Sequence, residues 1–113
     1  MHEMSIVAGV LDIAEQEARA AGAAVINTVE IEVGRLAGVE IDALEFCFET
    51  ARRGTLAERA LLVIHDIPGR GHCPACDQDV DIDFFMAVCP ACGEGLVEVL
   101  QGRELRVRAI NVD

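Results

Sequence analysis

The stretch His72-Cys73-Pro74-Ala75-Cys76 and its echo Cys89-Pro90-Ala91-Cys92-Gly93 decide how this chain is read. Each is a Cys-x-x-Cys knuckle, and twelve residues separate Cys76 from Cys89. Two cysteines so spaced can turn both sulfurs toward one ion, and two such pairs complete the tetrahedron of roughly 2.3 Å Zn–S bonds found in closed structural zinc sites. The spacing therefore predicts a Zn²⁺ site on Cys73, Cys76, Cys89 and Cys92. Three other readings use the same residues. Disulfides require an oxidising compartment, and the start MHEMSIVAGVLDIAEQE is acidic rather than basic ahead of a short apolar run, unlike a secretory signal. A thioredoxin-like redox pair needs one knuckle at the start of a helix and leaves the second unexplained. A rubredoxin-like iron centre uses the same four sulfurs, so spacing leaves it open beside zinc.

The charge narrows the partners. The formal net charge is −11, and all nine basic residues are arginine. Between Ile67 and Leu100, Asp77, Asp79, Asp81, Asp83, Glu94 and Glu98 face a single Arg70. A phosphate backbone would be repelled, so nucleic acid is not expected as a partner. Apolar residues make up 52% of the chain, enough for a packed core, yet no apolar run approaches the roughly 20 residues of a membrane span. A soluble cytoplasmic protein is expected. The aspartate series is not an EF-hand, because counting from Asp77 places Ile82 at the glycine position and Val88 at the glutamate position.

Outside the knuckles, hydrophobic period assigns the elements. Met4, Val7, Leu11, Ala14 and Ala18 recur at helical steps, with Arg19 in the last turn and Gly22 after it. From Val25 to Val33 the pattern alternates, with Val25, Val29, Ile31 and Val33 inward and Thr28, Glu30 and Glu32 outward, which is a strand with one wet face. Ile41, Leu44, Phe48 and Ala51 give a second helix, with Asp42 in its first turn, Arg52 and Arg53 in its last, and Gly54 as cap. Cys47 beside that stripe reads as a small buried residue. After a Thr55-x-x-Glu58 pattern, Ala60 to Ile67 reads as a strand more buried than the first. Pro68, Gly69 and Gly71 read as a flexible boundary, Asp79 to Phe84 as a short ribbon strand, and Arg103 to Val112 as a third strand with Leu105, Val107 and Ala109 inward.

The expected fold class is α+β: two helices packed on a small three-stranded sheet, with an inserted four-cysteine zinc-ribbon lobe. Residues 1–67 and 102–113 would form the first domain and 68–101 the second. A lobe that small buries little core, so its fold is expected to depend on metal.

The amino terminus offers a second metal site. The Met1 amine, the backbone nitrogen of His2 and the His2 imidazole Nδ1 can close a five- and a six-membered chelate ring on one ion. The amide must lose its proton, which Ni²⁺ and Cu²⁺ promote in a square-planar nitrogen field and Zn²⁺ does poorly. Glu3 supplies a carboxylate as an extra ligand or as an outer partner. The plain alternative is a frayed, solvated histidine. His72 reads as a surface neighbour of the zinc site or as a ligand exchanging with a cysteine, and His65 as structural.

Taken together, the start MHEMSI, the stretch Val33-Gly34-Arg35-Leu36-Ala37-Gly38-Val39-Glu40, the two CPAC knuckles and Gly102-Arg103-Glu104-Leu105-Arg106-Val107 resemble the HypA/HybF family of hydrogenase maturation factors. The resemblance spans essentially the whole chain. It implies a nickel metallochaperone that receives Ni²⁺ and hands it on for the nickel-iron centre of hydrogenase, working with the GTPase HypB and the hydrogenase large subunit. Some members also serve urease maturation proteins. By position, His2 matches the family's nickel-binding histidine with Glu3 in the same motif, and Cys73, Cys76, Cys89 and Cys92 match its zinc ligands. Some members carry a histidine beside each knuckle, whereas here the second knuckle is flanked by Val88 and Gly93.

No enzyme is expected. There is no nucleophile with a paired base, and G-x-x-x-x-G-K cannot occur in a chain without lysine. Two other readings stand beside the metallochaperone: an iron electron carrier, and a purely structural zinc-ribbon adaptor.

Overall fold

A computed structural model describes residues 2–83 and 88–113. Helix α1 (Glu3–Ala20) leads into strand β1 (Ile26–Gly34), followed by helix α2 (Ile41–Ala51) and strands β2 (Leu61–Ile67), β3 (Arg70–Cys73), β4 (Gln78–Asp81), β5 (Glu98–Gln101) and β6 (Leu105–Val112). The chain divides into two compact units. Met1–Glu32, Val39–His65 and Arg106–Asp113 form one; Val33–Gly38 and Asp66–Leu105 form the other. The expected class holds, with two helices and a three-stranded sheet in the order β2-β1-β6, and the cysteine-bearing stretch builds a three-stranded sheet of its own, β4-β3-β5.

In the first unit the helical steps place Val7, Val10, Leu11, Ala14 and Ala18 of α1 and Leu44 and Phe48 of α2 in the core, against Ile26, Val29 and Ile31 of β1. Two positions depart from the sequence reading of this layer. Met4 is 45% exposed, and Val10, outside the expected stripe, is buried. Val25 lies outside β1 and is exposed, while Ile26 is buried, so the inward alternation starts only at Val29.

Strand order explains the next correction. β1 is central and carries the buried pattern, whereas β2 is an edge strand with Leu61 at 69% exposure, so the second strand is the less buried of the two. β6, the other edge, keeps Leu105 and Val107 half-buried but leaves Ala109 exposed. Val25 and Asp113 exchange backbone hydrogen bonds, and the Gly34 N–H donates to the Glu104 carbonyl, which fixes β6 antiparallel to β1. Arg52 is the C-cap of α2 rather than part of its last turn; its guanidinium donates to the Ala60 carbonyl at 2.7 Å and to Glu49 at 2.6 Å. The Thr55 hydroxyl accepts from the Ala57 N–H in a turn and starts no helix.

In the second unit β3 pairs antiparallel with both neighbours, His72 opposite Asp79 on one side and Glu98 on the other. The aspartates of β4 are used across the strands: Asp81 pairs with Arg70 at 2.5 Å and Asp79 with His72 at 2.8 Å. Gly69 and Gly71 are buried. A side chain at Gly71 would overlap Val97 and the Glu98 carbonyl, so the strands approach there because the residue has none.

These burial differences make a sharp prediction for two phenylalanines two residues apart. Phe48 is 1% exposed, and Phe48→Ala should cost about 3–5 kcal/mol in urea unfolding. Phe46 is 72% exposed, and Phe46→Ala should stay within about 0.5 kcal/mol of the parent. Equal losses would contradict the helix orientation.

Candidate metal centres

The two knuckles fold alike, and the reason is local. In each, the residue four after the first cysteine donates its N–H back to that cysteine's carbonyl: Asp77 to Cys73 and Gly93 to Cys89, both at 2.8 Å. Both donors sit in the left-handed region, with φ of 56° at Asp77 and 72° at Gly93, which aspartate tolerates and glycine adopts freely. β3 delivers Cys73 and the turn delivers Cys76. The Val88–Leu96 bridge and the Cys89 N–H to Gly95 carbonyl bond set the second knuckle. Gly95 itself must lack a side chain, since a Cβ there would fall 2.9 Å from Cys73 Sγ.

The four sulfurs lie within 4.8 Å of one another, with Cys73 to Cys92 at 3.6 Å and Cys76 to Cys89 at 3.8 Å. A tetrahedron of Zn–S bonds near 2.3 Å has edges of about 3.8 Å, which these two separations match. Sulfur separations this long are not disulfides, whose bond is about 2.05 Å, and all four cysteines are free. Cys73 and Cys89 are buried, joined by Leu36, Ile82 and Val97, with Val80 and Val99 packed against them. Leu36 was not foreseen as part of this cluster. It sits between the glycines of the β1–α2 turn, where no periodic pattern marks it.

The knuckles differ in how readily they give up protons. Backbone N–H groups of Glu94 and Gly95 bring the Cys92 thiol down to about 7, and those of Cys92 and Ala91 lower Cys89. Burial, followed by hydrogen bonding to Cys73, pushes Cys76 up to about 12. The second knuckle thus stabilises sulfur anions more than Cys76 does. His72 stands beside the site with both ring nitrogens held by carboxylates, Nδ1 by Asp79 at 2.8 Å and Nε2 by Asp77 at 3.2 Å, and its pKa is raised chiefly by the Asp79 hydrogen bond. That is the surface-neighbour arrangement. His65 pairs with Glu30 at 2.8 Å in the first unit.

At the amino terminus His2 is the N-cap of α1. It is exposed, its side chain makes no capping bond, and its carbonyl accepts from Ser5 and Ile6. The Met1 amine lies outside the described residues. The Glu3 carboxylate accepts the Glu40 N–H at 3.3 Å, which joins the start of α1 to the N-cap of α2. The sequence reading placed Glu3 beside His2 and did not foresee Glu40. An N-cap glutamate without a side-chain bond of its own leaves no mark in the sequence.

The family profile described as HypA, hydrogenase/urease nickel incorporation, metallochaperone, matches residues 1–112. The chain belongs to the HypA family. It is 47% identical to the hydrogenase maturation factor HypA of Chlorobaculum tepidum over 113 residues, covering all of both chains. It is 45% identical to that of Rhodobacter capsulatus over 112 residues, covering 99% of each. The solution structure of the Ni metallochaperone HypA from Helicobacter pylori superposes with a TM-score of 0.70 at 26% identity, covering 99% of this chain and 97% of that one. This HypA-family chain is therefore a member of a family of maturation factors, and none of its described helices is long and apolar enough to cross a membrane.

The thiol chemistry gives a pH dependence with a definite sign. Zinc must displace protons from the sulfurs, so acid competes with the metal and alkali favours it. Below about pH 7, where protons compete for the Cys92 thiolate, zinc affinity measured by chelator competition should fall on the order of tenfold or more per pH unit. A flat profile would show that the four thiols do not hold the ion.

Proposed function

We propose that this HypA-family protein carries Ni²⁺ on its amino terminus and delivers it for assembly of the nickel-iron centre of hydrogenase, while a resident Zn²⁺ on Cys73, Cys76, Cys89 and Cys92 holds the second unit together. The observation that carries the reading is His2. It stands exposed as the N-cap of α1 with its side chain uncommitted to capping, in a chain whose family is described by nickel incorporation.

The chemistry of such a carrier follows from the donors. The Met1 amine, the His2 amide and the His2 Nδ1 form a nitrogen chelate suited to square-planar Ni²⁺, and Glu3 serves as an extra ligand or as an outer partner. In the described structure Glu3 is engaged by the Glu40 N–H, which favours the second role. A site on a chain end is open on one side, so a partner's ligands can replace these one at a time. The cysteine site, by contrast, is closed by four sulfurs, two of them buried. Because Cu²⁺ binds nitrogen donors more tightly than Ni²⁺, selectivity rests on metal supply and partners. The protein is not an enzyme in this reading. Its nickel domain comprises residues 1–67 and 102–113 and its zinc domain residues 68–101. It works in the cytoplasm with a HypB-type GTPase, which supplies nucleotide hydrolysis, with the hydrogenase large subunit, and with urease maturation proteins where these are present.

Calorimetry with Ni²⁺ tests the reading on three zinc-loaded proteins: the chain beginning at Met1, the same chain with its amino-terminal amine acetylated, and His2→Ala. The first should bind one Ni²⁺ tightly and the other two at least about a hundredfold more weakly, since each lacks a chelate ring. Zinc should remain in all three. Equal nickel binding by the three would place the nickel elsewhere and return His2 to a solvated helix end.

A further inference from the structure

Gly95 lies outside both knuckles and reaches three of the four cysteines. Its carbonyl accepts the Cys89 N–H at 2.8 Å. The N–H groups of Glu94 and Gly95 both donate to the Cys92 sulfur. On its remaining side, a Cβ at position 95 would fall 2.9 Å from Cys73 Sγ and 3.0 Å from the Ala75 Cβ. A glycine is usually kept for one of two reasons, a left-handed backbone or a close approach. Gly93 shows the first: its φ is 72°, and nothing lies within 4 Å of where its Cβ would be. Gly95 shows the second, with no positive φ and a sulfur where its side chain would go. The missing side chain is room for Cys73.

Cys73 and Cys92 form one of the two close sulfur pairs, 3.6 Å apart, and Gly95 touches both members. With bonds of roughly 2.3 Å a tetrahedral ion sets its sulfurs about 3.8 Å apart, whereas a square-planar ion sets neighbours at about 3.3 Å and opposite sulfurs at about 4.6 Å. Zn²⁺ has no d-electron preference and takes the tetrahedron, while Ni²⁺ favours the plane. Passing from one to the other must change the Cys73–Cys92 separation. One of these sulfurs is lodged in the space a side chain at 95 would take and the other is held by the Gly95 N–H, so a single residue sets that distance. Cys73 is fully buried and has no open side to yield toward. We propose that Gly95 is a specificity-determining residue of the cysteine centre: by holding Cys73 and Cys92 at the tetrahedral separation it keeps the centre for Zn²⁺ and refuses Ni²⁺. The proposal rests on the nickel reading above only in naming the ion refused. Raw affinity separates these two divalent ions poorly, so geometry must do it in a chain that handles both.

The test uses full-length, zinc-loaded protein carrying His2→Ala, so that nickel held at the amino terminus does not enter the readout. Excess Ni²⁺ is added; zinc release is followed with a zinc-selective fluorescent chelator and nickel entry by thiolate-to-nickel charge-transfer absorption. The protein with Gly95 should keep its zinc and show no such band. Adding Gly95→Ala should weaken zinc binding about tenfold or more and let the nickel band appear. The Co²⁺ form of the same variant should lose intensity in its tetrahedral d–d bands. Because the added methyl also meets Ala75, a further Ala75→Gly should restore most of the zinc retention. Exchange of zinc for nickel in the protein with Gly95 overturns the proposal, as does a Gly95→Ala variant that keeps zinc and excludes nickel equally well. Zinc loss that Ala75→Gly does not relieve, or that brings no nickel to the thiols, assigns Gly95 to folding at large and also overturns it. Failure of the terminal nickel site shows instead in the calorimetry above, which these thiol readouts do not touch.

Discussion

The four-sulfur tetrahedron is the constraint on which the second unit depends. Its buried apolar set is small, Leu36, Ile82 and Val97 beside Cys73 and Cys89, and too little to hold three four-residue strands by burial alone. The separations of 3.6 and 3.8 Å between paired sulfurs match two edges of that tetrahedron, and the backbone brings the cysteines there. Two matching turns do it, each closed by one N–H to the first cysteine carbonyl. The first unit relies on a different means, a core of aliphatic side chains around Phe48.

The two metal sites call for different handling of the ion, and the local structure differs accordingly. A resident ion needs donors that cannot leave, and two of the four sulfurs are fully buried. A cargo ion needs donors that others can displace, and an exposed N-cap histidine at a helix start meets that need. The acidity of the thiols differs between the knuckles. Backbone N–H groups stabilise sulfur anions at the second knuckle, whereas burial keeps the Cys76 proton in place.

Much of this was legible in the sequence because it depends on spacing. The Cys-x-x-Cys pairs, both helices and the class of the fold follow from local periods that chain neighbours enforce. Tertiary placement was harder to read. Branched residues from Ala60 to Ile67 look like an interior strand, but strand order puts them on an edge, and no local pattern reveals which strand is central. Gly69 and Gly71 look like a hinge because glycine often is one; here they are glycine because Ile82 and Val97 occupy the space. Leu36 and Glu40 acquire their roles from residues far along the chain, Leu36 from the cysteine cluster and Glu40 from Glu3, and nothing within a few residues of either announces them.

The edge strand β6 has a consequence for the order of assembly. Asn27 and Asn111 hydrogen-bond at 3.1 Å across 84 residues of chain, so β1 gains its second neighbour only after the entire cysteine stretch has been made. Contacts of such sequence separation form slowly, and during synthesis they form last. The knuckles, closed by turns of four residues, can capture their ion while β1 still lacks that neighbour. Until β6 arrives a nascent chain holds an unfinished sheet with one edge of β1 bare, a state open to pairing with other chains.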